Sequence, residues 1–240
     1  MTQHRTAFGQ NETSWLPCPE LQRAISRHLP RARICMTPLR DVPEIRLWLL
    51  NADYCSEDLH AEDIQRIMRY PAYWSFCWAS GQVLARYLLD NPGLVRGKTV
   101  LDFGCGSGVA GIAAARAGAG RVIACDLDPD ACLATRENAA LNGVQLELVA
   151  DFWQARDPVD LVLAADVLYD RANMAWLPRF LEHANKALVA DSRVRDFAAP
   201  GYRRIAGGES RTWPDLDEHD AFRHVSLYLG QRPAPDHVTT

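Results

Sequence analysis

The chain has 240 residues, 48% of them hydrophobic, and a formal net charge of −4. That length suits one large domain, or a domain with an extension, and there is apolar material for a sizeable core. The mildly acidic balance gives no global electrostatic case for nucleic acid, and no apolar run is long enough to cross a membrane.

The first residues, MTQHRTAFGQ, lack the apolar centre of a signal peptide. Leu21–Leu29 predicts a short amphipathic helix ended by Pro30. Arg23, Arg27, His28, Arg31 and Arg33 read as a solvated helix face, with a docking patch for an acidic protein as the sharper alternative. EIRLWLL (Glu44–Leu50) alternates as a strand, and Asp58–Tyr70 predicts a helix stopped by Pro71. From Trp74 the pattern changes. WASGQVLARYLLDNP carries Val83, Leu84, Tyr87 and Leu88 on one helix face. KTVLDFG is then a short buried strand running into a glycine-rich turn. An alanine-rich helix follows over Val109–Ala117, closed by Gly118. RVIACD is the second strand of this unit, and Pro129 starts a helix that ends near Asn142-Gly143. VQLELVA, DLVLAAD and KALVAD are the third to fifth strands, with a helix over Met174–Ala184 before the last.

Strand and helix alternate from residue 98 to residue 192, the pattern of a parallel sheet wrapped by helices. After residue 200 the rhythm breaks. RRIAGGESRTWP is turn-rich and HVSLYLG alternates as a strand, which predicts an antiparallel hairpin at the sheet edge. Residues 1–70 are expected to form an N-terminal extension of helix, strand and helix packed on a main domain at 71–240. Seven cysteines include no Cys-x-x-Cys pair, and seven histidines no His-x-x-x-His pair. No disulfide framework or metal site is expected, and a reducing, cytoplasmic setting is.

Chemistry concentrates at successive strand ends. VLDFGCGSG places Gly104, Gly106 and Gly108 where a strand hands over to a helix, so the backbone can turn sharply and approach a ligand. The spacing is G-x-G-x-G, not the G-x-G-x-x-G of a nicotinamide site, and no lysine follows as in a P-loop. The second strand ends at Asp126, whose carboxylate can accept from both ribose hydroxyls of an adenosine. The third ends in ADFW. Asp151 can accept from an adenine amino group, and Phe152 or Trp153 can pack on the ring. Each also has a plain reading, Asp151 as a turn residue and Trp153 as core.

The constellation VLDFGCGSG, VIACDLDP and ENAALNGV resembles the class I S-adenosylmethionine-dependent methyltransferases. The resemblance implies an α/β, Rossmann-like, seven-stranded and mostly parallel sheet with helices on both faces and the last strand antiparallel. It implies that Gly104 and Gly106 line the methionine end of the cofactor. Asp102 would hold the turn or the cofactor's amino group, and Asp126, with its neighbour Leu127, would take the ribose. Trp78 would stand near the methionine portion. Cys105 reads as a small filler in the turn, since no base neighbours it.

The fourth strand ends in Asp166-Val167-Leu168-Tyr169, without the Asn/Asp-Pro-Pro of enzymes that methylate base amines or glutamine amides. Asp-x-x-Tyr resembles the seven-stranded protein lysine methyltransferases. The stretch YWSFCWASGQVLARYLLDNPGLVRGKTVLDFGCGSG is similar to those acting on the electron transfer flavoprotein β subunit and to their bacterial relatives, and VPEIRLWLL is similar to a strand of that group. Two places depart: Leu168 stands where the group has Phe, and Asp191-Ser192-Arg193 where it has Asp-Pro-Gly-Arg. The implied reaction is methyl transfer to a lysine amine of a protein, such as the electron transfer flavoprotein β subunit or a ribosomal protein. A small-molecule N-methyltransferase and a non-catalytic cofactor-binding protein are the alternatives. Asp166 would bind and orient the amine first and accept its proton second, and Tyr169 would wall its channel or hydrogen-bond the amine, the plain alternative for Asp166 being an N-cap of the next helix.

Overall fold

Seven strands meet in one sheet of order β5-β4-β3-β6-β7-β9-β8. They are β3 (Thr99–Phe103), β4 (Arg121–Cys125), β5 (Glu147–Val149), β6 (Val159–Ala165), β7 (Ala184–Asp191), β8 (Tyr202–Glu209) and β9 (His224–Gln231). The structure is a computed structural model that describes residues 18–29, 31–56, 65–66, 69–194 and 196–232. Strands β3 to β7 run parallel, and β9 lies antiparallel between β7 and β8. This is the mostly parallel sheet with an antiparallel last strand that the sequence implied. The chain steps from β3 outward through β4 and β5, then returns to the other side of β3 as β6 and β7. That reversal is a topological switch point, and the crevice outside the carboxyl ends of its strands is where such sheets bind ligands.

Alternation along the buried strands sends side chains to two cores. Val100, Leu163 and Leu188 face Leu84, Leu88 and Ile112 of α3 (Ala79–Asp90) and α4 (Val109–Arg116). Leu101, Ile123, Val162 and Val189 face Phe152 and Phe180, the latter on α6 (Trp176–His183). Gly81 sits inside α3 because a Cβ there would lie 2.8 Å from Val109 Cγ1. This mid-helix glycine thus marks a helix-on-helix contact.

The N-terminal part docks through α1 (Pro19–His28) and a hairpin of β1 (Ile34–Pro38) and β2 (Arg46–Leu50), with α2 a single turn (Ala52–Ser56). Leu47 and Leu49 join the same apolar cluster as Val100 of the sheet. Helix α5 (Pro129–Leu141) receives the hairpin: Trp48 N donates to Asn138 Oδ1 at 2.6 Å, and Arg46 N to Asn142 Oδ1 at 3.1 Å. Arg27 pairs with Asp130 at 2.6 Å, and the His28 ring stacks on Tyr70 at 3.8 Å. Part of the basic run is therefore spent inside the chain.

Two expectations change. Strand β1 is additional. The helix expected over Met174–Ala184 begins as a 3-10 turn at Arg171–Ala175 and becomes α-helical only from Trp176. The antiparallel hairpin expected at the sheet edge is formed by β8 and β9, and the glycines of β8 are there for space: a Cβ on Gly208 would sit 2.9 Å from Val83 Cγ1 of α3. The helix expected over Asp58–Tyr70 lies mostly outside the described residues. Cys18, Cys35, Cys77, Cys105, Cys125 and Cys132 are free thiols. Among the described residues no helix is long and apolar enough to cross a membrane.

Candidate functional site

A cavity of about 920 Å³ opens over the carboxyl ends of the parallel strands. Each contributes to its lining: Phe103 and Gly104 at the end of β3, Cys125 and Asp126 at the end of β4, Asp151 beyond β5, Ala165 and Asp166 at the end of β6, and Arg193 beyond β7. The volume is at the upper end for small-molecule and cofactor sites.

The glycine loop is pinned from three sides. Gly104 N and Cys105 N both donate to Cys125 O, at 2.9 and 3.0 Å. From α5, Thr135 Oγ1 donates to Gly106 O at 3.1 Å and Asn138 Nδ2 to Ser107 O at 2.8 Å. Gly104 takes φ 65° and Gly108 φ 81°, and a Cβ on Gly108 would press on Thr135 at 3.0 Å, so neither position accepts a side chain without strain. Gly104 and Gly106 face the cavity. Asp102 lies behind the loop and outside the cavity lining, where it accepts from Gly111 N at 2.8 Å and ties strand end to helix start. Burial raises its pKa to about 7, against the Gly111 N–H. Cys105 is buried, takes a 3.2 Å contact from Thr135 Oγ1, and has its thiol pushed well up by burial, as befits a filler.

Asp126 is held by the loop it faces. Its Oδ2 accepts from Gly106 N and its Oδ1 from Asp128 N, both at 3.0 Å, and burial raises its pKa. Leu127 projects from the rim, 82% exposed. Asp128 caps α5 by accepting from Asp130 N at 2.8 Å, and also takes the Tyr70 hydroxyl at 2.5 Å. Asp151 lines the cavity and accepts from Trp153 N at 2.9 Å, so the turn role and the cavity position coexist. Phe152 is core, whereas Trp153 is 51% exposed on the cavity wall.

At the end of β6, Asp166 turns into the left-handed region at φ 51°. Its Oδ1 accepts from Ser80 Oγ at 2.6 Å, Ser192 Oγ at 2.8 Å and Ser192 N at 3.2 Å, and its Oδ2 from Ser80 N at 3.1 Å. One carboxylate thus ties β6 to the start of α3 and the end of β7 while lining the cavity. It is not the cap of the next helix. Asp170 has that role, accepting from Ala172 N at 2.9 Å. Leu168 is fully buried and its N–H donates to Asp191 Oδ2 at 3.2 Å, so the residue that departs from the related group fills the core beneath the site. Burial and the Asp166 charge raise Asp191 to about 6, against the N–H of Val194. Tyr169 lines the cavity, 59% exposed.

The structure therefore brings together Trp78, Gly104, Gly106, Asp126, Leu127, Asp151, Phe152, Trp153, Asp166 and Tyr169, with Asp102 behind them. Sequence reasoning passed over Tyr73, Trp176 and Arg193, which also line the cavity. Tyr73 had a signal, an aromatic run just before Trp78. Trp176 had none: it opens an ordinary amphipathic helix, and only the fold sets its ring 4.8 Å from Phe103 and 6.3 Å from Trp153.

The family described as ribosomal protein L11 methyltransferase (PrmA) matches residues 84–190. The chain is 40% identical over 140 residues to the electron transfer flavoprotein β subunit lysine methyltransferase of Danio rerio, covering 55% of this chain and 54% of that protein. It is 53% identical over 125 residues to the ribosomal protein L11 methyltransferase of Aeromonas hydrophila, covering 50% and 41%. The chain thus spans about half the length of the curated relatives it matches. A Synechocystis magnesium protoporphyrin IX methyltransferase solved with bound S-adenosylhomocysteine shares the fold at 16% identity and a TM-score of 0.50, over 75% of this chain and 92% of that one. In sequence over its central half and in fold, the chain is similar to the class I S-adenosylmethionine-dependent methyltransferases, among them the electron transfer flavoprotein β-subunit lysine methyltransferases and the ribosomal protein L11 methyltransferases, and its glycine loop and strand-end acids fit the cofactor of that fold.

Proposed function

We propose that the protein transfers a methyl group from S-adenosylmethionine to a lysine amine of a protein acceptor. The observation that carries this reading is the placement of Asp166 and the half-exposed Tyr169 in one cavity with Gly104 and Asp126. When bound, the cofactor supplies a methyl group already activated by its sulfonium. The chain's own residues have the remaining work of binding, orienting and excluding water.

Asp126 is the acceptor for ribose hydroxyls: each of its oxygens takes one backbone N–H and keeps a further lone pair. Trp153 and Trp176, with ring centroids 6.3 Å apart, would wall the adenine end, and Asp151 would be an acceptor for its amino group. On the other side, Asp166 Oδ2 takes only the Ser80 N–H among the described donors, which leaves it a lone pair for an ammonium hydrogen. The carboxylate favours the charged amine, while desolvation in the cavity favours the neutral one that attacks. Asp166 is therefore assigned to capture and orientation. Burial raises the Tyr169 phenol, so it stays protonated and walls the channel as a neutral ring.

The relatives' names point to the electron transfer flavoprotein β subunit and ribosomal protein L11 as acceptors to try first. The test is incubation of the pure protein with radiolabelled S-adenosylmethionine and a host lysate. A labelled protein band whose label is recovered as methyl-lysine supports the proposal. Label confined to small molecules points to a small-molecule N-methyltransferase, and no label to a binding protein without turnover; either result would refute the proposal.

A further inference from the structure

Three aromatic rings stand on the Asp166 side of the cavity, and Tyr73 is the middle one. Its ring centroid lies 5.7 Å from that of Trp78 at 64° and 5.9 Å from that of Tyr169 at 48°. All three line the cavity together with Asp166. Inclined rings in close contact leave no room for a cation between them. They form a corner on the cavity wall in which Tyr73 and Tyr169 stay half exposed, while Phe76 lies against Trp78 at 5.7 Å.

The corner is built, not incidental. Tyr73 opens a 3-10 turn (Tyr73–Ser75) preceded by Ala72 at φ 45°. The neighbouring Trp74 is fully buried, with its indole N–H on Tyr70 Oη at 3.0 Å. Trp78 Nε1 donates to Tyr73 O at 3.1 Å, which fixes the two rings relative to each other. The turn is thus anchored through Trp74, while Tyr73 remains 49% exposed at the cavity. Core packing does not explain a large ring left half in water beside a second one. Aromatic faces carry the negative end of a quadrupole, and a cation set against them is attracted most strongly where water is partly excluded. Asp166 adds a carboxylate at the same end of the cavity, so ring faces and charge favour the same kind of ligand.

We propose that Tyr73, Trp78 and Tyr169 form an aromatic corner that receives the alkyl-ammonium group of the methyl acceptor, and that Tyr73 sets its preference for a cation over a neutral chain of the same shape. The proposal rests on the reading that the acceptor is an amine. The rings add to the charge attraction of Asp166 a contribution of their own, which differs between a cation and a neutral chain even when the cation has no hydrogen to donate.

That difference provides the test. The full-length protein, saturated with S-adenosylhomocysteine, is titrated by saturation-transfer NMR with Nα-acetyl-Nε-trimethyllysine methylamide. A parallel titration uses the neutral isostere in which carbon replaces the side-chain nitrogen. The cationic probe should bind about threefold tighter or better, and Tyr73→Leu should lower that ratio about threefold, leaving only what Asp166 supplies. If Tyr73→Leu fails to fold, Tyr73→Met replaces it with the same expected fall. Equal binding of the two probes by the unmodified protein, or a ratio that survives the substitution, would overturn the proposal. Its failure is separable from that of the function: a labelled protein band with no probe preference sinks the corner alone, and a probe preference with label only in small molecules sinks the protein acceptor alone.

Discussion

Replacing Asp166 by alanine should damage frame and chemistry together, and the size of the first effect follows from the contacts. The change removes the shared acceptor of Ser80 N, Ser80 Oγ, Ser192 N and Ser192 Oγ, and both serines are buried. Hydrogen bonds to a charged group contribute about 1.5–3 kcal/mol each in isolation. Four bonds to one carboxylate do not add, because the donors share it and cavity water can serve some of them. A net loss of about 3–4 kcal/mol is the reasoned value. Alanine must also adopt φ 51°, which adds roughly 1 kcal/mol. Urea denaturation should therefore show a loss of about 4 kcal/mol, and the melting temperature should fall by roughly 10 °C for a chain of this size. Two controls separate the contributions. Asp166→Gly, which is at ease at positive φ, should be about 1 kcal/mol more stable than Asp166→Ala. A double-mutant cycle of Asp166→Ala with Ser80→Ala should give a coupling of about 1–2 kcal/mol. Affinity for S-adenosylhomocysteine should stay within about threefold, since the glycine loop and Asp126 are untouched, while methyl transfer is abolished. A stability loss below about 1 kcal/mol, or an additive cycle, would refute the clamp. Transfer that survives would refute the acceptor role.

Asp126→Ala strips the acceptor from Gly106 N and Asp128 N as well as from the ribose, so calorimetry should show S-adenosylhomocysteine affinity lower by roughly tenfold or more; unchanged affinity would remove Asp126 from the cofactor site. Asp102 gives a pH test. Its folded pKa of about 7 lies above the ordinary carboxylate value of about 4, so the folded state holds the extra proton between those limits. That contribution to stability is full below about pH 4 and is lost as pH rises through about 7. In Asp102→Asn, whose amide oxygen can still accept from Gly111 N, the loss should be absent. The stability difference between variant and parent should shift in the variant's favour from about pH 4 to about pH 7 and then level off. Parallel urea-derived profiles would contradict a buried, proton-holding Asp102.

What the sequence showed and what it hid divide along contact distance. The buried strands around Leu101, Ile123 and Val162 declared themselves by composition and by the turns that bound them, and the glycine loop by local backbone need. Asp126 was legible because a strand end followed by a helix has few places to put a carboxylate. The edge hairpin was legible but the full extent of β8 was not, because Gly207 and Gly208 suggest turns when seen alone; only the closeness of Val83 on another element explains Gly208. The split of the helix after residue 170 was hidden for a similar reason. Asp170 supplies a cap for a 3-10 turn that the apolar spacing of α6 does not mark. The aromatic wall was half visible: Trp153 lies in a motif, whereas Trp176 reaches the cavity only through the crossover after β6.

Asp166 shows why the choice between a working acid and a structural one was badly posed. A helix cap needs a neighbour in sequence, and Asp170 is that neighbour. The serines that hold Asp166 lie 86 and 26 residues away, on the two elements that close the Asp166 side of the cavity. A side chain that needs to meet a substrate in one orientation is best held by rigid elements on several sides, and a carboxylate with four donors on it has little freedom to rotate. The hydrogen bonds that make Asp166 structural are therefore the ones that aim it. It follows that Ser80→Ala and Ser192→Ala, neither of which lines the cavity, should impair transfer by loosening that aim while leaving Asp166 in place. A loss confined to stability would break the link between the two roles.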